Sequence, residues 1–63
     1  MKLLREQEAA QISSLSVAFF RNRRLRGDGP PYVRVGRAVR YEQAALEAWL
    51  RSKQVAHTSE PAR

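Results

Sequence analysis

Cysteine is absent from the 63-residue chain, which excludes disulfides, thiol chemistry and cysteine-based zinc sites. Histidine occurs once, as His57, in a polar stretch that offers no second ligand and no acid-base partner. A metal centre, a catalytic base and a cofactor are therefore not expected. Long apolar runs are missing as well: nothing approaches the ~18 residues of a membrane-crossing helix. Met1-Lys2-Leu3-Leu4 is too short to read as a signal peptide, so a cytoplasmic chain without membrane contact is expected. A chain of about 60 residues buries only roughly 60% of its unfolded surface. That leaves little material for a pocket walled on all sides, so neither an enzyme nor a binder of small substrates is expected.

Acid is scarce where base is plentiful. The formal net charge is +6, and all of the surplus falls between residues 21 and 40. There seven arginines (Arg21, Arg23, Arg24, Arg26, Arg34, Arg37 and Arg40) meet one acid, Asp28, whereas the rest of the chain balances five cations with five anions. The segment holds no lysine. Arginine's planar fork suits phosphates and guanine edges, so a surplus of this one type points toward nucleic acid rather than a merely solvated face. RNA is the weaker reading, since no exposed aromatic pair offers a stacking platform. An acidic protein partner is the competing class.

Glu6 to Ile12 reads as a short helix, with Glu6 and Glu8 in the first turn, where the dipole favours anions. Ser13 and Ser14 interrupt it, and Leu15 is expected to be buried in the turn. Ser16 is a good N-cap for a second helix from Val17 to about Arg26. Gly27 ends that helix, and Asp28-Gly29-Pro30-Pro31 cannot continue it. Two helices joined by a turn this short form a helix-turn-helix, or more plainly an αα-hairpin.

From Tyr32 to Tyr41 the period changes to two, with Gly36 marking a turn, which reads as a β-hairpin. A two-residue loop, Gly36-Arg37, would set Val33 opposite Arg40 and Arg34 opposite Val39. A three-residue loop, Gly36-Arg37-Ala38, pairs Val35 with Val39 and Val33 with Tyr41 on one face. The second register is expected, and it puts Arg34 opposite Arg40 with Arg37 at the tip. Like charges paired across strands destabilise a sheet. A hairpin lying along a phosphate backbone has reason to carry them. Glu42 to about Lys53 is helical, with Leu46, Trp49 and Leu50 on one face, and Trp49 is expected to be the keystone of the core. Residues 1–53 thus form one domain, and 54–63 form an aperiodic tail expected to be disordered.

These residues also carry a family likeness. Glu8-Ala9-Ala10, Leu15-Ser16, the run from Gly27 through Arg37, Val39-Arg40-Tyr41 and Leu46-Glu47-Ala48-Trp49-Leu50 stand at fixed spacing. Together they resemble the excisionase-like, AlpA-like branch of the MerR superfamily, without gaps from about Leu3 to Lys53. The sequence departs from that pattern at Ser14, where glycine is usual, at Arg23, where an aromatic is frequent, and at Phe19, where a small polar residue is usual. The resemblance implies an α+β winged helix-turn-helix of three helices with a two-stranded β-hairpin wing. It implies double-stranded DNA as partner, the second helix in the major groove and the wing on the adjacent backbone or minor groove. Members act as phage and genomic-island excisionases, that is recombination directionality factors, or as small transcription regulators of a prophage or integrated element. Such a protein would sit on the nucleoid, bind neighbouring sites cooperatively and work beside a recombinase (an integrase).

Residue roles follow from the expected second helix. Phe20 should point into the core, so the opposite face presents Val17, Ala18, Arg21 and Asn22 to DNA. Arg21 can pair bidentately with guanine and Asn22 with adenine. Ser16 and Arg24 suit phosphate contacts at the helix, and Arg34, Arg37 and Arg40 suit the wing. Phe19 is expected either to pack under the wing or to form, with the tail, a surface for another protein. The whole reading requires the central arginines to make one continuous cationic ridge, free of carboxylates from their own chain.

Overall fold

A computed structural model describes residues 1–55. In chain order they form β1 (Leu3–Leu4), α1 (Glu6–Ser13), α2 (Val17–Arg26), β2 (Val33–Val35), β3 (Ala38–Glu42) and α3 (Gln43–Ser52). Three helices and a three-stranded antiparallel sheet of order β1-β3-β2 make a small α+β winged helix-turn-helix. The expected tail lies, beyond Val55, outside the described residues, and so does His57.

Local chemistry sets the helix ends. Glu8 turns back on the start of α1, its carboxylate accepting from the Arg5 backbone N–H at 2.8 Å. α1 stops at Ser14, whose φ of 58° lies in the left-handed region. Its N–H and that of Leu15 close on the Gln11 and Ala10 carbonyls at 3.2 and 2.9 Å. That turn swings the chain into α2, where the Ser16 hydroxyl accepts from the Phe19 N–H at 3.0 Å as an N-cap should. Leu15, expected inside, is 36% exposed, because the left-handed step carries it to the outer rim of the turn. Glu42 caps α3 in its turn, its carboxylate accepting from the Ala44 and Ala45 N–H groups.

The sheet departs from expectation twice. β1 was not anticipated, because two residues are too few to show alternation. It pairs with β3 so that Leu4 lies opposite Tyr41, and both are buried. The wing adopts the two-residue loop: Val33 pairs with Arg40, Arg34 with Val39 and Val35 with Ala38. Gly36 has φ 60° and Arg37 does not share the positive sign, the pattern of the tight hairpin turns whose twist matches the strands. The three-residue register would put the valines of both strands and Tyr41 on one face. In fact β3 and β1 carry the core, and β2 overhangs it as an edge strand with Val35 65% exposed. Arg34 and Arg40 consequently point to opposite faces, and the like-charge pair does not exist.

The core consists of Leu4, Ala9, Ala10, Phe20, Tyr41 and Leu46. Phe20 and Tyr41 meet edge to face with ring centroids 5.1 Å apart. These two rings hold the place expected for Trp49, which is only half-buried. Tyr41, fixed in the central strand with α2 on top of it, fills the middle first. Trp49, a turn beyond Leu46, is left on an apolar groove with Leu15, Phe19 and Leu50. Phe19 therefore packs toward α3 and not beneath the wing.

Candidate nucleic-acid interface

Burial of Phe20 fixes the rotation of α2. Ala18, Arg21, Asn22 and Leu25 then fall on one exposed stripe at helical spacing, with Leu25 87% exposed. Val17, expected among the outward residues, packs partly against the core instead. Leu25 was missed at sequence level, although the same period that selects Ala18, Arg21 and Asn22 reaches it.

The arginines divide into two sets. Glu6, on α1, takes both arginines that reach its side of α2. Its Oε1 accepts from Arg21 Nε at 2.9 Å and from Arg21 Nη2 at 2.7 Å, while its Oε2 accepts from Arg24 Nη1 at 3.2 Å. Arg24 Nη1 also donates to the Tyr41 hydroxyl at 3.0 Å. Asp28, just past α2, pairs with Arg23 at 3.1 Å and more loosely with Arg26 at 3.8 Å. The Arg21 guanidinium holds the Glu6 carboxyl below its ordinary range, against the opposing effect of burial, and Arg24 adds to the lowering.

Four of the seven central arginines thus face carboxylates of their own chain, which overturns the expected unbroken ridge and the requirement placed on it; a DNA reading has to rest on the cationic groups that remain. The reason is topological: α1 packs on α2 and its first residue, Glu6, meets Arg21 and Arg24 there, while the chain leaving α2 folds Asp28 back toward Arg23 and Arg26. Arg34, Arg37 and Arg40 have no carboxylate partner among the described residues. Arg40 Nη1 donates to the Val39 carbonyl, and the Arg34 guanidinium lies 5.9 Å from the Tyr32 ring centre. One open cleft collects Arg5, Arg21, Arg24, Arg37 and Arg40 around Glu6, so α2 and the wing do share a cationic surface.

Over this same stretch, residues 3–54, the chain matches a family model described as a helix-turn-helix domain. The chain belongs to the helix-turn-helix domain family. Neither a curated protein nor a solved structure matches it significantly. The family contains small DNA-binding proteins of the excisionase-like and AlpA-like kind, and membership suggests binding to double-stranded DNA.

In this helix-turn-helix domain the sequence-derived site residues fall into three places. Ala18, Arg21 and Asn22 lie together on the outward stripe of α2, with Ser16 at its N-terminal end. Arg34, Arg37 and Arg40 lie on the wing, split between its two faces and its tip. Arg24 belongs to neither group, since its side chain is only 18% exposed and braces α1 against Tyr41. Arg5, at the start of α1, joins the cationic cleft and went unnoticed in the sequence because it lies outside the arginine-rich third. Among the described residues, no cluster of three or more histidine or acidic side chains suits a metal ion. None of their helices is long and apolar enough to cross a membrane.

Proposed function

We propose that this helix-turn-helix domain binds double-stranded DNA sequence-specifically and serves as an excisionase, a recombination directionality factor of the MerR-like, AlpA-like type. The observation that carries the DNA reading is the pairing of an exposed stripe on α2, bearing Arg21 and Asn22, with wing arginines that have no carboxylate partner among the described residues. An α-helix with its side chains is about 10–12 Å across and the B-DNA major groove about 12 Å wide, so α2 fits it. In that pose Arg21 pairs with guanine, Asn22 with adenine, and Ala18 touches an apolar base edge, while Val17 packs inward and helps to seat the helix. The Ser16 hydroxyl donates to phosphate. Arg34 and Arg40 follow the backbone, and Arg37 at the turn enters the minor groove. Arg24 acts from behind, as the brace of the helix. A single module of this kind covers only about 600–1,000 Å² of DNA, so neighbouring copies bind cooperatively and bend the duplex, beside a recombinase.

The excisionase role is supported by the resemblance in turn, wing and last helix. Two measurements test the reading. Gel-shift titrations on a selected duplex and on a scrambled one should show Arg37→Ala weakening both alike. Arg21→Ala and Asn22→Ala should also narrow the gap between the two duplexes. Equal losses on both duplexes for all three variants would overturn the assignment. Footprinting across an attachment site and the chain's own promoter should protect several adjacent recombination-region sites; protection of one promoter operator alone would mark a transcription regulator instead.

A further inference from the structure

Arg21 is the one outward-stripe residue whose guanidinium is already engaged, and the manner of that engagement matters. Only one edge of it is used. Nε and Nη2 both donate to a single oxygen of Glu6, and the side chain remains 60% exposed. The other edge, formed by Nη1 and the second Nη2 hydrogen, has no partner among the described residues. Glu6 itself is 15% exposed and is held from behind: its other oxygen is bound to Arg24, which is bound to the hydroxyl of the buried Tyr41. A chain of contacts therefore runs from the core through Arg24 and Glu6 to Arg21, and only its last member stands in solvent.

Resting on the DNA reading above, we infer that Glu6 is a positioning residue for base readout, clamping one edge of the Arg21 guanidinium so that the opposite edge is presented to guanine. Two consequences follow from elementary chemistry. A free arginine must give up much rotamer freedom to make a bidentate contact, and a clamped one has given it up already. Furthermore, a carboxylate beside Arg21 cancels the attraction of that arginine for any phosphate, which weakens binding to arbitrary sequences. Glu6 accordingly raises discrimination from both sides, helping the right base and disfavouring the undifferentiated backbone. This also explains why an acid sits at the centre of an otherwise cationic cleft.

The test uses the full chain, a duplex selected from a random library by the wild-type protein, and a scrambled duplex of equal length. Glu6→Gln should bind the scrambled duplex about two- to five-fold more tightly, as expected for loss of one nearby negative charge. At the same time, the ratio of selected to scrambled affinity should fall about ten-fold, the scale of one good bidentate base contact. Opposite signs are the signature, because a merely structural role would lower both affinities together. In an Arg21→Ala background the same change should leave the ratio where Arg21→Ala alone puts it, since the two residues act as one. An unchanged ratio in Glu6→Gln, or a parallel loss on both duplexes, overturns the inference. Should that variant fail to fold, the wild type still decides. Its Arg21 Nε–H resonance, assigned by its disappearance in Arg21→Lys, should stay protected from solvent exchange both free and on the selected duplex; loss of protection on binding would show that DNA displaces Glu6. A wild type that binds no duplex at low salt overturns the DNA reading itself, whereas an unaltered ratio overturns only the role of Glu6.

Discussion

Glu6 is the residue on which the interior and the outer surface of the domain meet. Its carboxylate serves two arginines, and the Arg21 guanidinium in particular keeps its folded-state pKa below the ordinary carboxylate value of 4.5. The sign of the linkage follows: a depressed folded pKa contributes stability that is fully present above the unfolded value and is lost as pH falls through the folded one. Urea titrations between pH 7 and pH 3 should therefore show stability declining below about pH 4.5 in the wild type and declining less in Glu6→Gln. Equal slopes would mean that the two ion pairs contribute nothing to the folded state. None of this was legible in the sequence, where Glu6 reads only as an anion suited to a helix start. Fifteen residues separate it from Arg21, and only the packing of α1 on α2 joins them. By contrast, Ser16 was legible, because an N-cap is a local contact three residues long.

Among the elements, the turn between α1 and α2 and the wing teach opposite lessons. Both helices were readable to within a residue, since caps, breakers and the 3.6-residue period all act over short range. At the turn the family likeness marked only that glycine is usual where Ser14 stands, and the structure gives the reason: Ser14 takes the left-handed conformation in which glycine loses nothing and an L side chain is strained. Ser14→Gly should stabilise the domain by about 1 kcal/mol. For a domain of this size that raises the midpoint by roughly 4–8 °C in a calorimetric scan. A lowered midpoint would mean that the serine makes a compensating contact. The wing was misread because alternation fixes which residues share a face but not which face meets the core. β1, a strand of two leucines with no signal of its own, pairs along the other edge of β3 and sets Leu4 beside Tyr41 in the core, whereas β2 stays an edge strand with Val35 exposed. Trp49 was misplaced for a related reason: size argues for burial, but Phe20 and Tyr41 already occupy the centre.

At the scale of the whole molecule, the charge map is less simple than the composition. The surplus of +6 is real, but the arginines of α2 are tied to Glu6 and Asp28, whereas those of the wing face no acid among the described residues. On the proposed reading the grip on DNA is divided, with α2 placing clamped, directional groups against base edges and the wing supplying attraction for phosphate. Each neutralised phosphate contributes a slope of about −0.9 to log K against log salt on duplex DNA. The three wing arginines alone give a slope near −3, and helix arginines that exchange Asp28 for phosphate extend it toward −5. Titrating duplex binding from about 50 to 200 mM salt measures that slope directly. A value between about −3 and −5, flattened by roughly one in Arg37→Ala, is the expected result; a slope near zero would contradict the cationic grip on which the DNA reading depends.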